Sequence, residues 1–176
     1  MILPIYTYGE EILRKKSDDV DLNDISLSSL ITNMYETMYN AKGAGLAAPQ
    51  VGHNKRIIVI EEEISDGKIF KMILLNPVIL NYSGYYTTMA EGCLSFPTIN
   101  VDVFRPLNIE VEWYNENKNH HKEFFTGVQS RILQHEIDHL NGILFIDRID
   151  PEKNFKIFKT LEDIKHKKIK TYYPIE

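Results

Sequence analysis

His135 and His139 stand four residues apart with Glu136 directly after the first, inside the stretch QHEIDHLNG at 134–142. On an α-helix, residues four apart share a face one turn apart. Two imidazoles can therefore meet one metal ion while a neighbouring carboxylate takes a proton from water, which is the logic of HExxH hydrolases. A polar helix with surface histidines spells the same letters, so the reading turns on a third ligand. The extended pattern HExxHxxGxxH has its glycine at Gly142 but Phe145 where the third histidine belongs, and it fails. Two candidates remain. Glu162 follows His139 by 23 residues on a segment that could pack alongside. Cys93, the only cysteine, lies upstream in Glu91-Gly92-Cys93-Leu94-Ser95. A thiolate with two imidazoles suits zinc, iron, cobalt or nickel and leaves a position for water. A lone cysteine is otherwise an ordinary small buried hydrophobe.

The histidines need a helix to align them. Thr126 with Gln129 three later reads as a capping box, predicting a helix over 127–141 that Gly142 closes. Val128, Arg131 and Ile132 lie seven, four and three residues before His135, on the face that continues from it. Val128 and Ile132 could line an apolar pocket there, or be plain core, while Arg131 would lay its stem along the pocket and keep its head in water. An earlier helix over 25–41 follows from the stripe Leu27, Leu30, Ile31, Met34, Tyr35, Met38, with Gly43 of Lys42-Gly43 as its left-handed stop. Strands are expected at 56–62 and 69–75 around the turn Ser65-Asp66-Gly67, then at 82–88, 99–104, 107–113 and 120–125. Asp150 as N-cap and Pro151 at the first turn predict a last helix with Phe155, Phe158, Leu161 and Ile164 on one face. The expected class is α+β: antiparallel or mixed β-sheets packed around a central metal-binding helix, with a C-terminal helix. No repeat or long linker interrupts the chain, so 1–176 reads as one domain, with 151–176 as C-terminal helix and tail.

The 176 residues carry a net charge of −5, which disfavours general nucleic-acid and DNA binding. The charge is uneven: residues 151–176 hold seven lysines against four acids. Such a tail is a solvated helix face or a contact for an anionic partner. One cysteine excludes an internal disulfide. Neither a secretory segment nor a membrane span is legible, so the expected location is cytoplasmic.

Three segments in order resemble the peptide deformylase family: Gly43-Ala44-Gly45-Leu46-Ala47-Ala48-Pro49-Gln50, Glu91-Gly92-Cys93-Leu94-Ser95, and Gln134-His135-Glu136-Ile137-Asp138-His139. The resemblance spans roughly residues 3–150. It departs at Thr98, where glycine or an acid is common, and at Ser130, where alanine is common.

The resemblance implies an enzyme that hydrolyses the formyl group from formyl-methionine at the start of newly made polypeptides, releasing formate. Cys93, His135 and His139 would hold one divalent ion, ferrous iron in the cell, with zinc, nickel or cobalt as alternatives. Glu136 would act as general base and acid towards the water that attacks the formyl carbon. Gln50 and the Leu94 N–H would face the formyl oxygen, and Gly45 the substrate backbone. Gly43 and Ala44 would face Val128 and Ile132 across the methionine pocket. Around the ligands, a buried carboxylate needs a partner, so Arg105 is expected to pair with Glu91, Asp138 or both. N-formylmethionyl nascent peptides are the expected partners, with a transient ribosome contact through the basic C-terminal helix as a further candidate. Two other readings stay open: a metallopeptidase with Glu162 as third ligand, and a non-catalytic peptide-binding module with a structural metal.

Overall fold

A computed structural model describes residues 1–65, 67–152 and 154–176. Helix α1 spans Leu27–Asn40, the site helix α2 spans Gly127–Leu140, and α3 spans Ile157–Lys165. Strands β1 (Gly45–Ala47), β2 (Ile57–Ser65), β3 (Lys68–Gly92), β4 (Asn100–Tyr114) and β5 (His120–Thr126) form one antiparallel sheet in chain order. The α+β expectation holds.

The run Ile57-Ile58-Val59-Ile60 shows why the sheet sits where it does. All four side chains are wholly buried, because β2 is covered on both faces. Ile57 and Val59 join the cluster containing Met34 and Met38 of α1, whereas Ile58 and Ile60 join the one containing Leu133, Ile137 and Leu140 of α2. A strand buried on both sides reads as a continuous apolar run rather than an alternation. The site helix is thus pinned to the sheet by its apolar stripe, leaving its other face for the histidines.

Several local expectations change. The strands predicted at 99–104 and 107–113 are one strand, β4, because β3 runs alongside it for nearly its whole length with three register shifts that bend the pair. Such irregularities add twist and hide a long strand's alternation. The Ser65-Asp66-Gly67 turn falls partly outside the described residues. Thr126 makes no side-chain cap bond; it is still extended and paired with Asn108 in the sheet.

The two helix ends differ by one residue from expectation in one case and match in the other. At α2 the Ile143 N–H donates to Asp138 O at 2.9 Å with Gly142 at φ 71, a Schellman stop. A Cβ on Gly142 would lie 2.5 Å from Arg14 O. At α1 the left-handed residue is Lys42 (φ 54), and Gly43 N–H donates to Met38 O. Gly43 is small for another reason: a Cβ there would lie 2.7 Å from Leu94 Cδ1.

The last helix begins at Ile157, seven residues later than Asp150. Residues 151, 152 and 154–156 lie in turns instead. Leu161 and Ile164 are buried, but Phe155 and Phe158 are exposed. The face that packs is Ile157, Leu161 and Ile164, against Leu13, Phe96 and Phe145. Among the described residues, no helix is long and apolar enough to cross a membrane.

Candidate active site

The tip of the β3–β4 hairpin, residues 93–99, carries Cys93 to helix α2. Phe96 N–H donates to Cys93 O at 2.9 Å, and the buried Phe96 ring anchors the tip by meeting Phe145 edge-on at 5.0 Å. Phe145, which occupies the place of a third histidine, is therefore packing: its ring also lies 5.7 Å from that of His135.

The thiol and both imidazoles converge. Ligand atoms of Cys93, His135 and His139 all lie within 4.8 Å of one another, and Cys93 Sγ is 3.2 Å from His139 Nε2. A thiolate and an imidazole on one tetrahedral ion lie about 3.5 Å apart, given bonds of roughly 2.3 and 2.0 Å. Glu91 accepts from His135 Nδ1 at 2.9 Å, and a carboxylate only accepts, so Nδ1 carries the proton and Nε2 keeps its lone pair. His139 Nδ1 and Glu136 Oε2 are buried without a hydrogen-bond partner among the described residues. The thiol together with His135 Nε2 and His139 Nε2 is a donor set that fits a divalent cation, with the unpartnered Glu136 oxygen beside it. Glu162, in contrast, sits on the exposed side of α3 beside His166, away from the cluster.

Burial opposes a charged His135, yet its hydrogen bonds to Cys93 and Glu91 outweigh that and hold its pKa well above the usual value. Surroundings anionic enough to favour a proton also favour a cation. His139, buried and next to His135, is pushed well below the usual value. Burial raises the Glu136 carboxyl to about 7, despite opposition from His135 and Arg105.

Behind the histidines lies a closed ionic network. Glu91 accepts from Arg105 Nε at 2.7 Å and Nη2 at 2.9 Å, and from Arg131 Nη1 at 2.9 Å. Arg105 Nη1 reaches Asp138 at 2.6 Å, and Arg148 binds both oxygens of Asp138. Burial works to raise the Glu91 pKa, but the bonds from His135 and Arg105 overcome it and hold the group ionised. Arg131 corrects the sequence expectation. Its head does not reach water: it is buried and donates to Glu91, Val103 O and Thr87 O. The buried Glu91 carboxylate at the end of β3 draws it inward, where a buried guanidinium gains charge-assisted bonds. Arg148, itself partly exposed, closes the same network from outside and was missed, since nothing in its local sequence marks a partner in Asp138.

A cleft of about 600 Å³ opens over the cluster, and Gln50, Cys93, His135 and Glu136 face it. Gly43, Ala44, Val128 and Ile132 also line it. The Gln50 amide is oriented by Ala47 N–H, which donates to Oε1 at 2.9 Å, so the NH₂ points to Ser95 Oγ (3.2 Å) and Cys93 Sγ (3.5 Å). Among the described residues none accepts a hydrogen bond from Leu94 N–H. Gly45 does something the sequence did not suggest: a Cβ there would lie 2.8 Å from Glu136 Oε1, so its smallness makes room for the carboxyl.

A cysteine from a hairpin tip, joined to an HExxH helix beneath a peptide-sized cleft, can be compared with known proteins. Residues 2–155 match the family model described as polypeptide deformylase. The chain belongs to the polypeptide deformylase family. It is a formyl-removing hydrolase, and neither the metallopeptidase nor the structural-metal reading is favoured. A peptide deformylase of Chlorobaculum parvum is 44% identical over 99% of this chain and 94% of its own. The crystal structure of the Thermus thermophilus peptide deformylase superposes with a TM-score of 0.85 at 34% identity, covering 94% of this chain and 99% of that one. A Met-Ala-Ser-bound peptide deformylase from Acinetobacter baumannii gives a TM-score of 0.79 at 35% identity, over 85% of this chain and 99% of that one. Family membership implies a divalent metal, and Cys93, His135 and His139 form a fitting site for it.

Proposed function

We propose that the cleft takes the formylated N-terminus of nascent polypeptides and that Cys93, His135 and His139 hold the divalent ion used to hydrolyse it. The observation that carries this reading is the convergence of thiol, two imidazoles and an unpartnered carboxylate oxygen at the cleft floor. Bound there, the ion supplies Lewis acidity and a water acidic enough to ionise near neutral pH. Glu136 takes a proton from water at Oε2, the oxygen without a partner, and passes it to the departing amine. The Gln50 NH₂ and Leu94 N–H donate to the oxygen on which charge grows, each worth about 2.7–4 kcal/mol on the scale of other oxyanion donors. Glu91, held by Arg105 and Arg131, fixes the His135 tautomer, and Asp138 closes the same network from the helix.

The first methionine side chain lies between Val128 and Ile132 on one side and Gly43 and Ala44 on the other, with Arg131 turned away beneath. Ile132→Trp fills that space. Its kcat/KM for formyl-methionyl peptides is expected to fall at least about tenfold, the scale for misfit in an apolar pocket; steady-state formate release checks it. The Acinetobacter structure with Met-Ala-Ser supports a tripeptide as the probe length.

The physiological ion is ferrous iron in this reading, although ligand affinity favours zinc, and nickel or cobalt would also fit the donors. Metal quantification separates the ligand sets. Cys93→Ala is expected to lose the ion, whereas Glu162→Ala keeps it; the reverse result would restore the metallopeptidase reading.

The chain acts as one domain in the cytoplasm, and the lysines beyond residue 151 meet the ribosome transiently. Lys156, Lys159 and Lys168 are exposed, so changing all three to glutamine tests this without touching the packed face of α3. Weaker co-sedimentation with ribosomes is expected, and unchanged co-sedimentation removes the contact.

A further inference from the structure

The family model stops at residue 155, yet residues 170–173 line the cleft. They are held there by two hydroxyls. Tyr172 hydroxyl donates to Ala41 O at 2.8 Å, two residues before Gly43, and Tyr173 hydroxyl donates to Leu94 O at 2.8 Å, at the hairpin tip. Beyond them, Ile5 N–H donates to Pro174 O and Glu176 N–H to Ile5 O, both at 2.9 Å, which fastens the segment to the start of the chain. Tyr173 is buried, whereas Tyr172 is 69% exposed, an aromatic face left open at the cleft mouth.

The charges around that face are unmatched. Lys42 lies over the Tyr172 ring at 5.7 Å from its centroid, and Lys170 lines the same mouth. Both are exposed, and among the described residues neither has an acidic partner. The mouth also holds Glu62, so its balance is one surplus cation. The acids deeper in, Glu91 and Glu136, are buried.

We infer that Lys170–Tyr173, together with Lys42, forms a subsite for the second and third residues of the substrate and favours carboxylate side chains there. This rests on the cleft being the formyl-peptide site. Tyr172 sets the wall against which an extended peptide lies, and the two ammonium groups attract its acids over a distance at which salt still screens them.

The test compares formyl-Met-Asp-Asp-amide with formyl-Met-Lys-Lys-amide on the metal-loaded full chain. The acidic peptide is expected to have the higher kcat/KM by about fivefold, the scale of one or two screened ion pairs, expressed in KM. The ratio should approach one in 0.5 M NaCl (about a 4 Å Debye length) and in the Lys42→Gln, Lys170→Gln double variant. Tyr172→Ala should reduce it as well. A ratio is read within each variant, so partial loss of folded enzyme does not obscure it. Equal kcat/KM for the two peptides in the unaltered chain, or a preference that survives the double variant, overturns the subsite. If neither peptide yields formate, the reading of the cleft fails and the subsite with it.

Discussion

Glu136→Gln is expected to lower kcat/KM for formate release by about 10²–10⁴, the usual contribution of a positioned general base, with metal content unchanged. The carboxyl is buried, one of its oxygens has no hydrogen-bond partner among the described residues, and Gly45 is bare opposite the other. Glutamine has nearly the same shape, so the Gly45 contact accommodates it. It cannot accept a proton and remain neutral. Because the variant removes a buried acid rather than a paired one, the melting temperature should stay level or rise. Formate assays on metal-matched samples, with calorimetry alongside, separate the two effects. Activity within threefold of the parent would move the base elsewhere.

Arg105→Ala is expected to act on stability first. The residue is 1% exposed and ties together two buried acids from different elements, Glu91 at the end of β3 and Asp138 in α2. Removing one member of a buried ion pair costs about 3–5 kcal/mol because the other is left uncompensated. Arg131 still holds Glu91 and Arg148 still holds Asp138, which places the loss near the lower figure. For a chain of this size, that is a fall in melting temperature of about 6–12 °C. Metal affinity should fall by about 10–100-fold, since Glu91 orients His135 and loses two of its donors. Arg105→Lys should recover little, because an ammonium cannot make the paired bonds of a guanidinium fork. Thermal unfolding and metal titration check both halves. Parent-like stability would mean that the network is not what holds the hairpin tip to the helix.

The spacing of His135, Glu136 and His139 was legible because helical periodicity is local. The choice of Cys93 over Glu162 was not local: it required knowing which hairpin tip folds onto α2, and the family resemblance carried that information before the structure did. Arg131 shows the same limit. A step of four from a histidine places it on the right face, but its inward turn depends on Glu91, 40 positions away. The late start of α3 has a similar cause. Phe155 and Phe158 match the helical period, but the surface of Leu13, Phe96 and Phe145 accepts Ile157, Leu161 and Ile164. Thr98 shows the opposite, a local departure explained by the backbone. It sits at φ 68, a conformation that glycine adopts freely and a β-branched residue does not.

Incubation of the anaerobically purified, metal-quantified protein with formyl-Met-Ala-Ser tests the metal-dependent deformylation most directly. The predicted result is one formate for each free Met-Ala-Ser produced, at a rate proportional to bound metal and abolished by a chelator. Intact formyl peptide in the presence of a full metal complement, or cleavage at an internal peptide bond without formate, would contradict it.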